Sequence, residues 1–145
     1  MAPAATSAWP VRPGETHQLR KAPVTTRQLV MYAGASGDYN PIHYDLPHAQ
    51  SAGLGGVIAH GMLTMAFAGQ CLTDWAGPAS HVSQIGGRFL SPVRPGDVVV
   101  MNATVDSVSD DQICTVSIEG LVGDRPVFSG RAEIVQASGQ LAFSH

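Results

Sequence analysis

Over the C-terminal half of the chain, apolar and polar residues alternate. In 98–108, Val99, Met101, Ala103 and Val105 share one face, and Asn102, Thr104 and Asp106 share the other. In 113–122, Cys114, Val116 and Ile118 oppose Thr115, Ser117 and Glu119. In 127–136, Phe128, Gly130, Ala132 and Ile134 oppose Ser129, Arg131 and Glu133. A period of two marks half-buried strands. Polar turns at Ser109-Asp110-Asp111 and Gly123-Asp124-Arg125-Pro126 join them into an antiparallel meander. One more strand is predicted over 82–90, with Arg88 and Phe89 inside it. A Pro- and Gly-rich turn from Pro92 to Asp97 follows it. Upstream the pattern changes. From Ile58 to Thr73 there is no formal charge, taking His60 as neutral. Met62, Leu63, Met65, Ala66, Phe67, Ala68, Cys71, Leu72 and Trp75 would cover nearly every side of a helix. A helix apolar all round is buried. Thr64, Gly69, Gln70 and Thr73 make this one too short and too polar for a membrane span. The expectation is a central helix starting at about Gly61 and wrapped by other elements.

The N-terminal half carries helix signals. Thr25 as N-cap with Gln28 at the third position forms a capping box, and Val24 with Leu29 fits a hydrophobic staple. That helix runs through Val30, Tyr32 and Ala33 and stops near Gly37. A short helix is predicted from Leu46 to Ala52, ending at Gly53. Residues from Thr16 to Ala22 read as a first short strand or an extended lead-in. Residues 1–14, with the isolated Trp9, read as a weakly ordered arm. Residues 15–137 form one domain, and 138–145 a loose tail. One buried helix followed by an antiparallel sheet is an α+β layout.

Composition narrows the function. A chain of 145 residues supports one domain with an adequate core. Hydrophobic residues make up 44% and charged ones only 13%, so much surface is buried within the fold or between subunits. A net charge of −3 with no basic stripe excludes nucleic acid as a partner and argues against acidic membranes. Cys71 and Cys114 sit in apolar contexts and read as reduced core thiols. There is no zinc spacing and no secretory signal, which points to a soluble cytoplasmic protein.

Candidate chemistry concentrates in Gly37-Asp38-Tyr39-Asn40-Pro41-Ile42-His43. Gly37 permits a chain reversal. Pro41 lacks a backbone donor and forces Asn40 out of the helical region. Asp38 and His43 are therefore held on a stiff loop that turns both toward one point. A carboxylate and an imidazole converging on a pocket are suited to moving protons. The plainer alternative is that Asp38 caps a turn and His43 is a loop histidine with its bonds satisfied. The second candidate is the start of the uncharged helix. Its first amides, at Gly61 and Met62, lack intrahelical partners and would suit a developing oxyanion. The plainer alternative there is that Gly61 lets the chain pass close to a strand.

Three blocks occur in order: Ala35-Ser36-Gly37-Asp38-Tyr39-Asn40-Pro41-Ile42-His43, then Ile58-Ala59-His60-Gly61-Met62-Leu63, then Arg88-Phe89-Leu90-Ser91-Pro92-Val93-Arg94-Pro95-Gly96-Asp97. Together they resemble the MaoC-like dehydratase family, which includes the R-specific enoyl-CoA hydratases. The resemblance spans about Thr25 to Gln136. Tyr32 to Asp38 and His60 to Met65 are most similar to the catalytic subunits of mycobacterial (3R)-hydroxyacyl-ACP dehydratases. The resemblance implies a single hotdog fold, with the sheet wrapped around the central helix, and a homodimer or a heterodimer with a similar hotdog subunit. It implies dehydration of a (3R)-3-hydroxyacyl thioester to a trans-2-enoyl thioester, or the reverse hydration. Asp38 and His43 would be the catalytic pair, with coenzyme A or phosphopantetheine as part of the substrate and no other cofactor. Gly61 and Met62 become the oxyanion candidates.

Around them, Ser36 would orient the pair, Asn40 would shape the loop or touch substrate, and His60 would contact substrate or serve the helix start. A metal held by Asp38, His43 and His60 is an option that this chemistry does not require. Tyr39 and Met65 would line the acyl tunnel or pack in the core. Arg94 would meet a phosphate, and Arg88 would do so or pair with Asp97 or Glu133. Three other readings stay open: a hotdog thioesterase, a non-catalytic acyl-binding subunit, and the catalytic subunit of an obligate hetero-oligomer whose partner supplies the acyl tunnel.

Overall fold

Local chemistry sets the first elements of the computed structural model, which describes residues 11–136. The Thr25 hydroxyl accepts from the Gln28 amide (3.1 Å) and opens helix α1, Thr26–Ser36. Gly37, at φ 76°, closes it in the left-handed conformation that glycine adopts without a Cβ penalty. A single 3₁₀ turn, Pro41–His43, and a short helix α2, Leu46–Ser51, follow. The long helix α3 is Gly61–Ala76. Strand β1, Thr16–Arg20, precedes the helices, and β2 (Ser80–Phe89), β3 (Val99–Val108), β4 (Ile113–Val122) and β5 (Arg125–Gln136) complete the chain.

The strands form one antiparallel sheet in the order β1-β3-β4-β5-β2. The meander over β3, β4 and β5 is present, with Thr104 opposite Ser117 and Val116 opposite Ala132. Its alternation has the expected consequence. Val99, Met101, Ala103, Val105, Cys114, Val116, Ile118, Ala132 and Ile134 are buried, facing α3. From the helix come Leu63, Phe67, Ala68, Cys71, Leu72 and Trp75. This is the hotdog arrangement, an α+β fold with the sheet curved around one helix. Burial pushes the thiols of Cys71 and Cys114 up to about 11, as expected of core cysteines.

Three features depart from the sequence reading. The sheet covers only a broad side of α3, because Met62, Ala66 and Gln70, one turn apart, remain exposed. The body begins before residue 15: Val11 is core, and the Gly14 amide donates to the Val105 carbonyl (2.8 Å). The rest of the expected arm, Trp9 included, and the 138–145 tail lie outside the described residues. Finally, Arg88 does not pair with Asp97 or Glu133. The Asp97 carboxylate instead accepts from Arg125 (2.9 Å) and from the Arg94 amide (2.9 Å). The Arg94 guanidinium donates to the carbonyls of Leu54 (2.6 Å) and Gly56 (3.4 Å). That bracing ties the 53–57 loop to the 90–97 loop, and Arg94 is committed to it.

Candidate active site

The loop after α1 is a chain of short-range caps. The Ser36 hydroxyl accepts from the Asp38 amide, Asp38 Oδ1 from the Asn40 amide, and Asn40 Oδ1 from the Ile42 amide, each at 3.2 Å. Such side-chain turns are what Ser, Asp and Asn provide where no helix or strand serves the backbone. The Tyr44 hydroxyl adds a bond to the Tyr39 carbonyl (2.8 Å). The result fixes Asp38 and His43 on one side of the loop, with Asp38 Oδ2 3.8 Å from His43 Nε2. Their surroundings differ sharply. The His43 side chain is 7% exposed and that of Asp38 is 54% exposed.

His43 has a defined tautomer. Its Nδ1 lies 2.7 Å from the Ile58 carbonyl oxygen, which can only accept. Nδ1 therefore carries a hydrogen, and Nε2, facing Asp38, is the position that takes or gives a proton. The Ile58 carbonyl is itself held in place: the Ile58 amide donates to the Ile42 carbonyl (3.2 Å) and the Ala59 amide to the Val93 carbonyl (2.7 Å). Sequence reasoning did not single out Ile58, because a backbone acceptor leaves no trace in residue type.

His43 opens onto a cavity of about 390 Å³. Gly61 and Thr64 line it from α3, and Ile42, Ile58, Phe89, Leu90, Val93 and Val127 make it largely apolar. That volume and character suit a small, largely apolar ligand. Tyr39, Met65 and Asp38 are not among its lining residues; Asp38 reaches the site through His43, whose Nε2 lies 3.8 Å from its Oδ2. A larger hollow of about 720 Å³ on the outer face of the sheet, beside Arg88, Glu119 and Arg131, contains neither member of the pair.

Helix α3 begins at the cavity with its amides uncapped. His60 occupies the N-cap position and makes no side-chain cap bond. The Gly61 and Met62 N–H groups therefore stay available, on the helix end that carries partial positive charge. Gly61 lines the cavity, whereas the Met62 side chain is turned to solvent. The Phe89 ring fills the space beside Gly61: a Cβ there would sit 3.0–3.2 Å from three of its carbons. The sequence did not reveal that Phe89 lies against Gly61.

His60 lies behind the pair. Its Nε2 donates to the Asp38 carbonyl (3.0 Å), its ring stacks on His43, and Tyr32 packs against it. Asp38, His43 and His60 each offer one ligand atom within 4.8 Å of the others, as a metal site would. The two imidazoles, however, are only 21° from parallel at 3.7 Å. Their in-plane lone pairs run side by side instead of converging on one ion. The arrangement is better suited to proton transfer than to chelation.

Comparison with known proteins agrees with this fold. The sequence profile of the family described as MaoC like domain matches residues 9–123. The chain is 30% identical over 127 residues to the (R)-specific enoyl-CoA hydratase of Rhodospirillum rubrum, covering 86% of this chain and 88% of that one. It is 38% identical over 80 residues to 3-hydroxyacyl-thioester dehydratase Y of Mycobacterium tuberculosis, covering 53% of this chain but 27% of that longer protein. Among solved structures, the (R)-hydratase from A. caviae involved in PHA biosynthesis superposes with a TM-score of 0.80 at 26% identity, over 89% of this chain and 99% of that one.

Proposed function

The chain belongs to the MaoC-like domain family and is a hydro-lyase, and from that premise we propose that it interconverts trans-2-enoyl and (3R)-3-hydroxyacyl thioesters through Asp38 and His43. The observation that carries the reading is the 3.8 Å approach of Asp38 Oδ2 to Nε2 of His43, a residue that lines an apolar cavity together with Gly61 at the start of α3.

In the hydration direction the step requires Asp38 ionised and His43 carrying a hydrogen on both ring nitrogens. Asp38 takes a proton from water as its oxygen bonds to C3, and His43 Nε2 delivers a proton to C2. Asp38 is then protonated and His43 neutral, and proton transfer between them restores the pair. Dehydration runs the same steps backward. Charge that builds on the thioester oxygen meets the free amide of Gly61, with that of Met62 beside it. Losing one such donor typically costs about 3 kcal/mol of transition-state stabilisation. Ser36 and Asn40 contribute through the loop, where Ser36 Oγ and Asn40 Oδ1 each accept from a backbone amide. The thioester carrier, coenzyme A or phosphopantetheine, is part of the substrate, and the steps require no redox group or metal.

A partner subunit completes the reading. Asp38 stands at solvent, and Tyr39, Met62, Phe89 and Leu90 are large exposed apolar groups. Strand β2 pairs on one side only, with β5. We place a second copy, or a similar hotdog subunit, against this edge.

The test is to give the purified chain crotonyl-CoA and longer enoyl-CoAs and follow both the enoyl absorbance and free thiol. Loss of absorbance without thiol release supports the proposal. Thiol release without hydration would replace it with thioester hydrolysis. No change in either, alone and with candidate hotdog partners, would overturn catalysis by this chain.

A further inference from the structure

His60 is an uneconomical residue if its only task is to pack. It is 1% exposed, and its Nδ1 is the one buried side-chain polar atom without a partner among the described residues. An unmet buried nitrogen destabilises the fold, whereas an apolar ring of the same size would not. It also sits at the N-cap of α3, where Ser, Thr, Asp or Asn would bond the second or third amide of the helix. His60 makes no such bond. The position therefore forgoes both apolar packing and a helix cap.

What the ring does instead is directed at the catalytic pair. Its Nε2 meets the Asp38 carbonyl oxygen at 3.0 Å, so Nε2 bears the hydrogen. Its face lies on the His43 face at 3.7 Å, only 21° from parallel. Tyr32 closes on it at 4.9 Å from α1. His43 in turn is fixed at Nδ1 by the Ile58 carbonyl. The two stacked imidazoles are thus held by backbone oxygens in opposite tautomers. One leaves Nε2 facing Asp38; the other leaves Nδ1 bare. A hydrogen on His60 Nδ1 would have no acceptor among the described residues.

We infer that His60 is a positioning residue that acts on both catalytic groups at once. It ties down the backbone of Asp38 and supports the ring of His43, and it leaves the first amides of α3 uncapped for the thioester. This inference rests on the proposed hydratase reading and deepens it. It separates His60 from substrate contact, because the ring is covered by the pair and is not among the cavity's lining residues.

The experiment has two arms, so that failure of the activity and failure of the inference can be told apart. In the first, ¹⁵N-labelled imidazole spectra of the unmodified chain at pH 8 report tautomers without any turnover. The expected result is hydrogen on Nε2 of His60 and on Nδ1 of neutral His43. Hydrogen on Nδ1 of His60 would overturn the inference even in an active enzyme. The second arm uses His60→Phe, which keeps a stacking ring and loses the bond to Asp38, and His60→Gln, which returns an N–H donor near the same place. His60→Phe should lower kcat for crotonyl-CoA at least ~10-fold with KM within about threefold. His60→Gln should recover most of that loss. Unchanged kcat in His60→Phe, or a KM effect alone, would overturn the positioning role, as would His60→Gln being no better than His60→Phe. A chain that shows the expected tautomers but does not hydrate enoyl-CoA would retain this geometry and lose only the functional reading.

Discussion

Replacing Asp38 by Asn removes a charge and almost nothing else. Asn keeps an oxygen at the position where Asp38 Oδ1 accepts from the Asn40 amide (3.2 Å), so the turn that shapes the loop survives. The lost partner is His43 Nε2 at 3.8 Å, on a carboxylate side chain that is 54% exposed. Exposed pairs of that kind contribute about 0–1 kcal/mol to stability. The melting temperature should therefore move by less than about 4 °C. Turnover should respond on another scale. A positioned acid or base typically accounts for ~10²–10⁴-fold in rate, or about 2.7–5.5 kcal/mol at about 1.36 kcal/mol per tenfold. The assay is initial-rate hydration of crotonyl-CoA beside a thermal melt of the same preparation, with Asp38→Ala as a second variant that also removes the turn acceptor. Expected is a turnover loss of at least ~100-fold in both, with the larger drop in melting temperature in Asp38→Ala. If Asp38→Asn kept more than a third of wild-type turnover, the carboxylate would be a loop cap and the proton-transfer argument would fail.

His43→Gln should cost turnover at least ~100-fold, since an amide side chain cannot cycle a proton at the Nε2 position; near-normal rates would remove His43 from the mechanism. Gly61→Ala places a methyl 3.0–3.2 Å from three ring carbons of Phe89, so the ring or the helix start must shift. Turnover should fall more than the melting temperature does, and adding Phe89→Ala should recover part of it; normal turnover in Gly61→Ala would exclude the oxyanion role. Chiral analysis of hydrated crotonyl-CoA should give the (3R) alcohol, and a (3S) product would contradict the R-specific reading. Light scattering at micromolar concentration should show a dimer or larger, by itself or with a similar subunit, and a fully active monomer would show that the exposed edge of β2 needs no partner.

The elements were legible because each is written in a local signal. Thr25, Gln28 and Gly37 mark both ends of α1 through side-chain capping and a left-handed turn. The two-residue alternation from Val99 to Ile134 sorts inside from outside without reference to any distant residue. Sheet order is a different kind of fact. Placing β1 beside β3 and β2 beside β5 depends on pairings between residues far apart in sequence, such as Leu19 with Met101 and Arg88 with Ser129. No periodicity within either strand encodes them. The cover on α3 was over-read for a related reason. An uncharged helix shows that its surface avoids water, but not whether the same chain or another one provides the cover. Met62, Ala66 and Gln70 lie on the side that this sheet does not reach.

The site divides along the same line. Asp38, Ser36, Asn40 and His43 were recoverable because the loop is built from contacts two or three residues long, and these depend on residue type: Asn next to Pro, Asp two residues before Asn, Gly at the helix end. The residues that set the chemistry of the pair from outside the loop were not. Ile58 acts through its carbonyl and any residue supplies one, so nothing in its identity points to the tautomer of His43. Phe89 is a strand residue whose ring reaches Gly61 only because β2 ends beside the start of α3. His60 was visible as a histidine but not as a support, since its stack on His43 joins a helix N-terminus to a loop that ends 17 positions earlier. Sequence therefore identifies the groups proposed to exchange protons, while the groups that fix their tautomers and orientation are backbone atoms and rings delivered by tertiary structure. That division makes backbone-held geometry the natural place to look for differences between chains that share the same Asp and His.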